Sequence, residues 1–301
     1  MRFFFTILIT TVITSLVFVS ISSLIPLSEI EQANHLMCIP LIQKRLKQSR
    51  GNNRIILLGG SSMGLGVSAK MISQRTGIQT WNTGLHAGIG YKNIWDLYSD
   101  NFDKAKDIIV ISPETAMVTR TGRPLNVAVC EMSTLKLTNW KTNLLCAGRH
   151  SKRVMKKWTG WGDTKWNYRK QDFDELGDYS VELLPKPPSG RLALKCDPMP
   201  SGKQLDDYLG FFEEKQELGY NILYIPSITY KAACLSSLAR ILEINKTLTE
   251  AFGSKLPDDY PYLLEEKYFM DTLHHLNPEG RRIKTEAFLE FIKARLATTQ
   301  Q

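Results

Sequence analysis

The chain has 301 residues, of which 43% are hydrophobic and 23% are charged. This composition excludes a disordered or collagen-like chain and suffices for one large domain or two small ones. The formal net charge of +8 is a mild basic excess, typical of a protein near an anionic membrane or polymer. The basic residues are too diffuse to form the stripe, with a recognisable DNA- or RNA-binding motif, that nucleic-acid binding requires. We therefore expect no nucleic-acid partner. The five cysteines include no CxxC pair, so we expect no zinc site and no disulfide scaffold.

The amino-terminal part of the chain is strongly apolar, since residues 3–27 carry no charge. A helix needs about 20 apolar residues to cross a bilayer, whereas the apolar part of a cleaved signal peptide has about 7–15. We therefore predict an uncleaved signal anchor over residues 1–27, with a cleaved signal peptide as the alternative, and a juxtamembrane stalk over residues 28–53. Because Arg2 precedes this span, the positive-inside rule places the bulk of the chain on the extracytoplasmic side of a single-pass membrane protein. The basic run at residues 44–50 opposes this orientation, at the limit of the range of the rule.

Short buried-strand patterns alternate with helical patterns along the rest of the chain. The predicted strands are residues 54–58, 79–82, 107–112 and 220–225, and the predicted helices are residues 30–48, 67–76, 91–101, 232–252 and 279–297. This alternation predicts an α/β fold with a mainly parallel sheet over residues 54–298. Residues 120–215 lack the pattern and hold Trp140, Trp158, Trp161 and Trp166, so we predict a large insertion there.

The first predicted strand leads into the glycine-rich segment GGSSMGLG at residues 59–66. Ligands of open α/β sheets bind beyond the carboxyl ends of the strands, so residues at such places are candidates for a site. A phosphate-binding loop requires a lysine where Leu65 stands, and the dinucleotide fingerprint GxGxxG is absent, which disfavours a nucleotide-binding protein. What remains is a serine on a tight turn at the start of a helix, where free backbone amides stabilise an oxyanion. The alternative is that Ser61 and Ser62 only cap that helix.

A base for such a serine is available in the segment DTLHHLNPEG at residues 271–280. Asp271 precedes His274 by three residues and His275 by four, and either spacing lets a carboxylate orient one imidazole. The same residues are also typical of the start of a helix, which is compatible with a catalytic role.

Together with NTGLHAGIG at residues 82–90, these segments resemble the SGNH (GDSL-like) hydrolase superfamily, in its membrane-anchored envelope form. The resemblance covers residues 54–118 and 220–297 and implies a three-layer αβα sandwich of flavodoxin-like type. Gly59-Gly60-Ser61 stands where the family has Gly-Asp-Ser, and Gly66 follows five residues after the serine as in the anchored members. The segment DFDELGDY at residues 172–179 is similar to a further stretch of those members.

The resemblance assigns three catalytic residues. Ser61 matches the nucleophile, His275 the general base and Asp271 the carboxylate that orients it. Ser62 is the alternative nucleophile, since Gly60-Ser61-Ser62 also fits, and His274 is the alternative base.

The resemblance also assigns an oxyanion hole, made by the backbone amides of Ser61 and Gly88, with Gly84 next in rank. The family adds an asparagine after the third strand, where this chain reads Ser112-Pro113-Glu114. Losing one such donor typically lowers the rate by about 10²–10³-fold. A catalytically lapsed protein of the same fold, which binds or helps to assemble a polysaccharide, is therefore the alternative function.

The implied activity is that of a serine esterase or O-acyltransferase that works through a covalent ester without a cofactor. Anchored relatives act on acylated envelope polysaccharides, so the resemblance implies an acylated glycan as substrate. The membrane is a partner through the amino-terminal helix, and a membrane-bound acyltransferase stays open as a further partner.

An exported chain forms disulfides. The predicted pairs are Cys130 with Cys146 and Cys196 with Cys234, which leaves Cys38 as the odd cysteine.

Overall fold

The computed structural model describes residues 4–6, 9–14, 16–17, 38–119, 172–180, 195–254, 257, 259–270 and 272–299. The chain divides into two compact units, one made of Met1–Met37 with Pro124–Gln171 and the other of Cys38–Arg123 with Asp172–Gln301. In the first unit the described residues are helical and lie within the predicted anchor. No helix among the described residues is both long enough and apolar enough to span a membrane.

The second unit has an α/β fold. Its helices are α1 (Ile39–Gln48), α2 (Ser61–Gly64), α3 (Ala69–Thr76), α4 (Tyr91–Tyr98), α5 (Thr115–Thr119), α6 (Gly202–Glu217), α7 (Lys231–Cys234), α8 (Leu238–Ala251) and α9 (Pro278–Thr299). Its strands are β1 (Arg54–Gly59), β2 (Gln79–Asn82), β3 (Asp107–Ser112), β4 (Asn221–Tyr224), β5 (Thr229–Tyr230) and β6 (Leu263–Leu264). Short 3₁₀ turns cover Ala87–Ile89, Ser99–Asn101, Leu235–Ser237 and Glu266–Tyr268.

The central sheet has four parallel strands in the order β2-β1-β3-β4. The second sheet is the parallel pair β5-β6. The carboxyl ends of β1 and β3 lie side by side, since Gly59 pairs with Ser112. Segments that follow β1 and β3 are thereby placed at one edge of the sheet, which is where an open α/β sheet holds its ligands.

Both faces of the central sheet are buried. Every residue of β1 and β3 is buried, and alternate residues of a strand point to opposite faces. Ile55 and Leu57 belong to a core that includes Ile72 of α3 and Phe288 of α9. A strand that is buried on both faces reads as a continuous apolar run, which explains why the sequence pattern located β1 and β3 well.

A second core is aromatic and joins α4 to α6. Trp95 of α4 makes edge-to-face contacts with Phe102 and Phe212, with ring centroids 5.3 Å and 5.9 Å apart, and Tyr91 contacts Tyr208 in the same way at 4.8 Å. Most of helix α6 lies within residues 120–215, where we predicted an insertion; its buried side chains make it part of the core of this unit.

One disulfide joins Cys196 to Cys234, as predicted. It ties the segment before α6 to the end of α7. Cys38 is buried at the start of α1. Cys130, Cys146 and the four tryptophans Trp140, Trp158, Trp161 and Trp166 lie outside the described residues.

Candidate functional site

The glycine turn after β1 places Ser61 at the carboxyl edge of the sheet. Gly60 caps the single helical turn α2, and Ser61 is its first residue. The amide of a first helical residue has no partner within the helix, so the Ser61 N–H is available for an external acceptor. The Ser61 side chain is partly buried, which leaves its hydroxyl open on one side.

His275 reaches Ser61 from the other end of the chain. Its Nε2 lies 2.9 Å from Ser61 Oγ, although 214 residues separate the two. The loop that carries His275 is held on both sides, because the Met270 amide donates to the His275 carbonyl and the His275 amide donates to Thr272 Oγ1. Asn277 then accepts from the Gly280 amide at the start of α9 and so ends the loop. The predicted proximity of this serine and this histidine is therefore observed.

The two alternative residues face other partners. The Ser62 side chain is fully buried, and its Oγ accepts a hydrogen bond from Ser227 Oγ at 3.4 Å. His274 Nε2 lies 2.8 Å from Asp197 Oδ2, so this ring is paired away from Ser61. His274 Nδ1 is buried and has no hydrogen-bond partner within the described part of the chain. Asp271, the predicted orienting carboxylate, lies outside the described residues.

The two glycines expected in the oxyanion hole use their amides locally. The Gly88 N–H donates to His86 Nδ1 at 2.9 Å, whereas we expected it to face the space beside Ser61. The Gly84 N–H donates to Asn82 Oδ1 at 3.0 Å. A Cβ on Gly84 would lie 2.2 Å from the Gly64 nitrogen, so Gly84 lets two backbone segments touch. The contact of Gly88 corrects the direction that we predicted for its amide.

Glu114, which follows β3, lies immediately beside the serine. Its Oε1 accepts from the Ser62 amide at 2.6 Å and from Ser61 Oγ at 3.4 Å, and its side chain is buried. A Cβ on Gly60 would lie 2.6 Å from the same oxygen. Gly60 is therefore the residue that leaves room for Glu114.

Lys284 of α9 contacts the other side of the same backbone turn. Its Nζ donates to the Ser62 carbonyl at 2.9 Å, and its side chain is fully buried. Burial lowers the pKa of Lys284 from 10.5 to about 7, and the Glu114 carboxylate opposes that shift. Gly66 makes this contact possible, because a Cβ there would lie 2.4 Å from the Ser62 oxygen. The Ser61–Ser62 turn is thus held by an acidic group on its amide side and a basic group on its carbonyl side.

The segment at residues 172–180 is hydrogen-bonded to the backbone that follows the Ser61 turn. Asp178 accepts hydrogen bonds from the amides of Ala69 and Lys70 at the start of α3 and from Asn82 Nδ2. It also pairs with Arg281 of α9 at 3.2 Å. Asn82 Nδ2 in turn donates to backbone carbonyls that follow the serine, those of Met63 and Val67. Asp178 therefore joins the segment that carries Ser61 to the helix that follows His275.

Sequence reasoning identified the serine and the histidine but missed Lys284, Asp178 and Asp197. A signal existed for Asp178, because the sequence DFDELGDY was noted without a role. For Lys284 we find no such signal. A lysine on a charged helix is predicted to be exposed, and only the packing of that helix shows that it is buried.

Comparisons with protein-family models, curated proteins and solved structures give no match to this chain. Among the described residues, no group of three or more His, Cys, Asp or Glu side chains is arranged to hold a metal ion.

Proposed function

We propose that this protein is a serine esterase or O-acyltransferase of SGNH type, in which Ser61 is the nucleophile and His275 the general base. The observation that carries the proposal is the 2.9 Å contact between Ser61 Oγ and His275 Nε2. Residues that only cap helices have no reason to meet across such a sequence separation, whereas a nucleophile and its base must lie within about 2.6–3.2 Å. The parallel sheet and its two buried faces support the further proposal of a three-layer αβα sandwich.

In the proposed reaction, Ser61 Oγ attacks the carbonyl carbon of an ester while His275 Nε2 takes the hydroxyl proton. The tetrahedral intermediate carries its negative charge on the former carbonyl oxygen, and in this proposal the Ser61 amide donates a hydrogen bond to that oxygen. The carbon–oxygen bond to the alcohol then breaks, and His275 returns the proton to the departing alcohol. Water, or a second alcohol in a transferase, releases the acyl group from Ser61 by the same steps in reverse.

The proposed setting is the outer side of a membrane, with an acylated glycan as substrate. The apolar residues 3–27 and the preceding Arg2 support a single-pass anchor. The disulfide between Cys196 and Cys234 supports an oxidising compartment. The glycan is proposed from the resemblance to anchored envelope enzymes, some of which work beside a membrane-bound acyltransferase.

The second candidate is a protein of the same fold that has lost catalytic activity and binds a polysaccharide without reacting with it. Glu114 favours it, because a carboxylate stands where an oxyanion donor is expected and accepts from the Ser62 amide. A negative group 3.4 Å from Ser61 Oγ opposes the charge that develops in the transition state.

A serine-reactive fluorophosphonate probe distinguishes the two candidates. We expect the full chain to be labelled at Ser61, and we expect labelling to fall at least 100-fold in Ser61→Ala and in His275→Gln. Ser62→Ala is the matched control, because it removes the neighbouring hydroxyl and leaves the Ser61–His275 contact intact.

Peptide mapping by mass spectrometry identifies the labelled residue. Labelling that survives Ser61→Ala unchanged would assign the nucleophile elsewhere. A folded protein that is not labelled, and that binds an acylated polysaccharide as well in the Ser61→Ala form as in the natural form, would establish the binding protein instead.

A further inference from the structure

A cavity lies at the carboxyl ends of β3 and β4, next to the segments that carry Ser61 and His275. Three residues in its wall adjoin the site: Pro113 precedes Glu114, His274 precedes His275, and Ser227 donates to Ser62 Oγ. The cavity has a volume of about 50 Å³, well below the roughly 300–1,000 Å³ of sites that take drug-sized ligands.

The wall of this cavity is mainly apolar. Its apolar residues include Val118 of α5, Met199 before α6, and Ile241, Ile244 and Leu248 of α8. Polar side chains line it too, but several already have partners. Asn245 binds Tyr224 OH and the Ile241 carbonyl, Thr229 donates to the Leu273 carbonyl, and Ser227 donates to Ser62 Oγ. A sugar placed here would leave most of its hydroxyl groups without partners, which is costly in a buried site. An aliphatic chain has no such groups and loses contact with water on entering.

An ester has an acyl part and an alcohol part. The apolar wall suits an aliphatic acyl part and does not suit a sugar as the alcohol part. We propose that this cavity binds the aliphatic acyl chain of the substrate while its carbonyl carbon reacts at Ser61. The inference rests on the proposed function and adds the substrate class, an ester of an aliphatic acid longer than acetate. The alcohol part then lies on the side of Ser61 away from the cavity, where a glycan has access to solvent.

Two phosphonofluoridate probes that differ only in the alkyl group on phosphorus, methyl or hexyl, test the chain length. Phosphorus stands for the carbonyl carbon, so the alkyl group takes the place of the acyl chain. We expect the hexyl probe to label Ser61 of the full chain at least 10-fold faster than the methyl probe. The expected gain is about fourfold for each methylene that enters the cavity, the factor that corresponds to about 0.8 kcal/mol.

Substitutions on α8 test the place. Ile244→Phe puts a larger side chain into the cavity and should remove the preference for hexyl while labelling by the methyl probe continues. Leu242→Phe is the matched control, since Leu242 lies on the same helix but is 41% exposed and is not part of the wall. Ile244→Val is the second variant, which keeps the fold and should retain the hexyl preference. Thermal melting of each variant verifies that it is folded.

The outcomes separate this inference from the proposed function. Labelling of Ser61 by both probes at equal rates, or a hexyl preference that Ile244→Phe leaves unchanged, would overturn the acyl-chain site and leave the serine enzyme standing. A change in preference only when the alcohol part of an ester is varied would assign the cavity to the leaving group. If neither probe labels Ser61 of the folded protein, the proposed function fails, and the acyl-chain site fails with it.

Discussion

At the scale of single residues, the main feature of the site is that an acidic and a basic side chain bind the backbone N–H and the backbone C=O of one residue, Ser62. Glu114 accepts from the Ser62 amide, and Lys284 donates to the Ser62 carbonyl. Removing one member of such a buried pair leaves the other without compensation, so the two side chains should be considered together. Gly60 and Gly66 belong to the same arrangement, since each leaves the space that one of these side chains fills.

Lys284 should make stability depend on pH. Its pKa is lowered from 10.5 to about 7 in the folded protein, so the unfolded chain binds more protons between these two values. The free energy of unfolding therefore rises with pH across this window, by up to about 1.4 kcal/mol per pH unit. Lys284→Met should remove that rise, whereas Lys293→Met, an exposed change on the same helix, should keep it. Urea unfolding at pH 7 and pH 9.5 measures this rise in the free energy of unfolding. An equal rise in the natural protein and in Lys284→Met would contradict the lowered pKa of Lys284.

The sequence predicted the residues of the site unevenly, for physical reasons. Ser61 and His275 lie in short motifs whose local spacing carries the chemistry, so they were identified. Glu114 was noticed only as a departure from a family pattern. The contact of Lys284 depends on how α9 packs, and no local pattern encodes a packing contact. The amide of Gly88 does not point where we predicted, because a local acceptor, His86 Nδ1, binds it.

At the scale of elements, the sequence pattern located some boundaries and missed others. Strands β2 and β3 have the predicted limits. The helix predicted over residues 232–252 is instead α7, a 3₁₀ turn and α8. Cys234, at the end of α7, is fixed by the disulfide to Cys196, a tertiary contact that a helical pattern does not report. Helix α3 begins at Ala69 rather than at residue 67, because Ser68 caps it by accepting from the Met71 amide.

The segment at residues 172–180 should be essential for the geometry of the site, through Asp178. Asp178→Asn replaces an acceptor by a partial donor opposite the Ala69 and Lys70 amides, and it removes the charge that pairs with Arg281. We expect a loss of about 3–5 kcal/mol in the free energy of unfolding, the usual cost of breaking a buried pair. Asp206→Asn, an exposed change on α6, should stay within about 0.5 kcal/mol. Urea unfolding measures both variants, and similar values for the two would show that Asp178 does not hold the segment.

At the scale of the whole molecule, sequence and structure agree on an α/β unit with a parallel sheet. The amino-terminal segment that precedes this unit is a separate question. Residues 3–27 read as a membrane span by hydropathy, while the described residues there are helical without forming a helix that meets the length and hydropathy of a span. The proposed orientation of the chain across a membrane rests on Arg2 and on the disulfide. These two observations are independent, because one concerns insertion and the other concerns the redox state of the compartment.

The export of the α/β unit can be tested through that disulfide. If the bulk of the chain lies outside the cytoplasm, Cys196 and Cys234 should be oxidised to each other in intact cells. Alkylating free thiols before lysis, followed by mass spectrometry, should leave both residues unmodified until a reductant is added. Reducing the purified protein should then lower the free energy of unfolding by about 2–4 kcal/mol, because a closed loop of the unfolded chain is released. The double variant Cys196→Ser/Cys234→Ser is the control and should not respond to the reductant.

A reporter fused after Gln301 that works only outside the cytoplasm should be active in the same cells. Free thiols at both positions together with an inactive reporter would place this unit in the cytoplasm and remove the envelope glycan as its substrate.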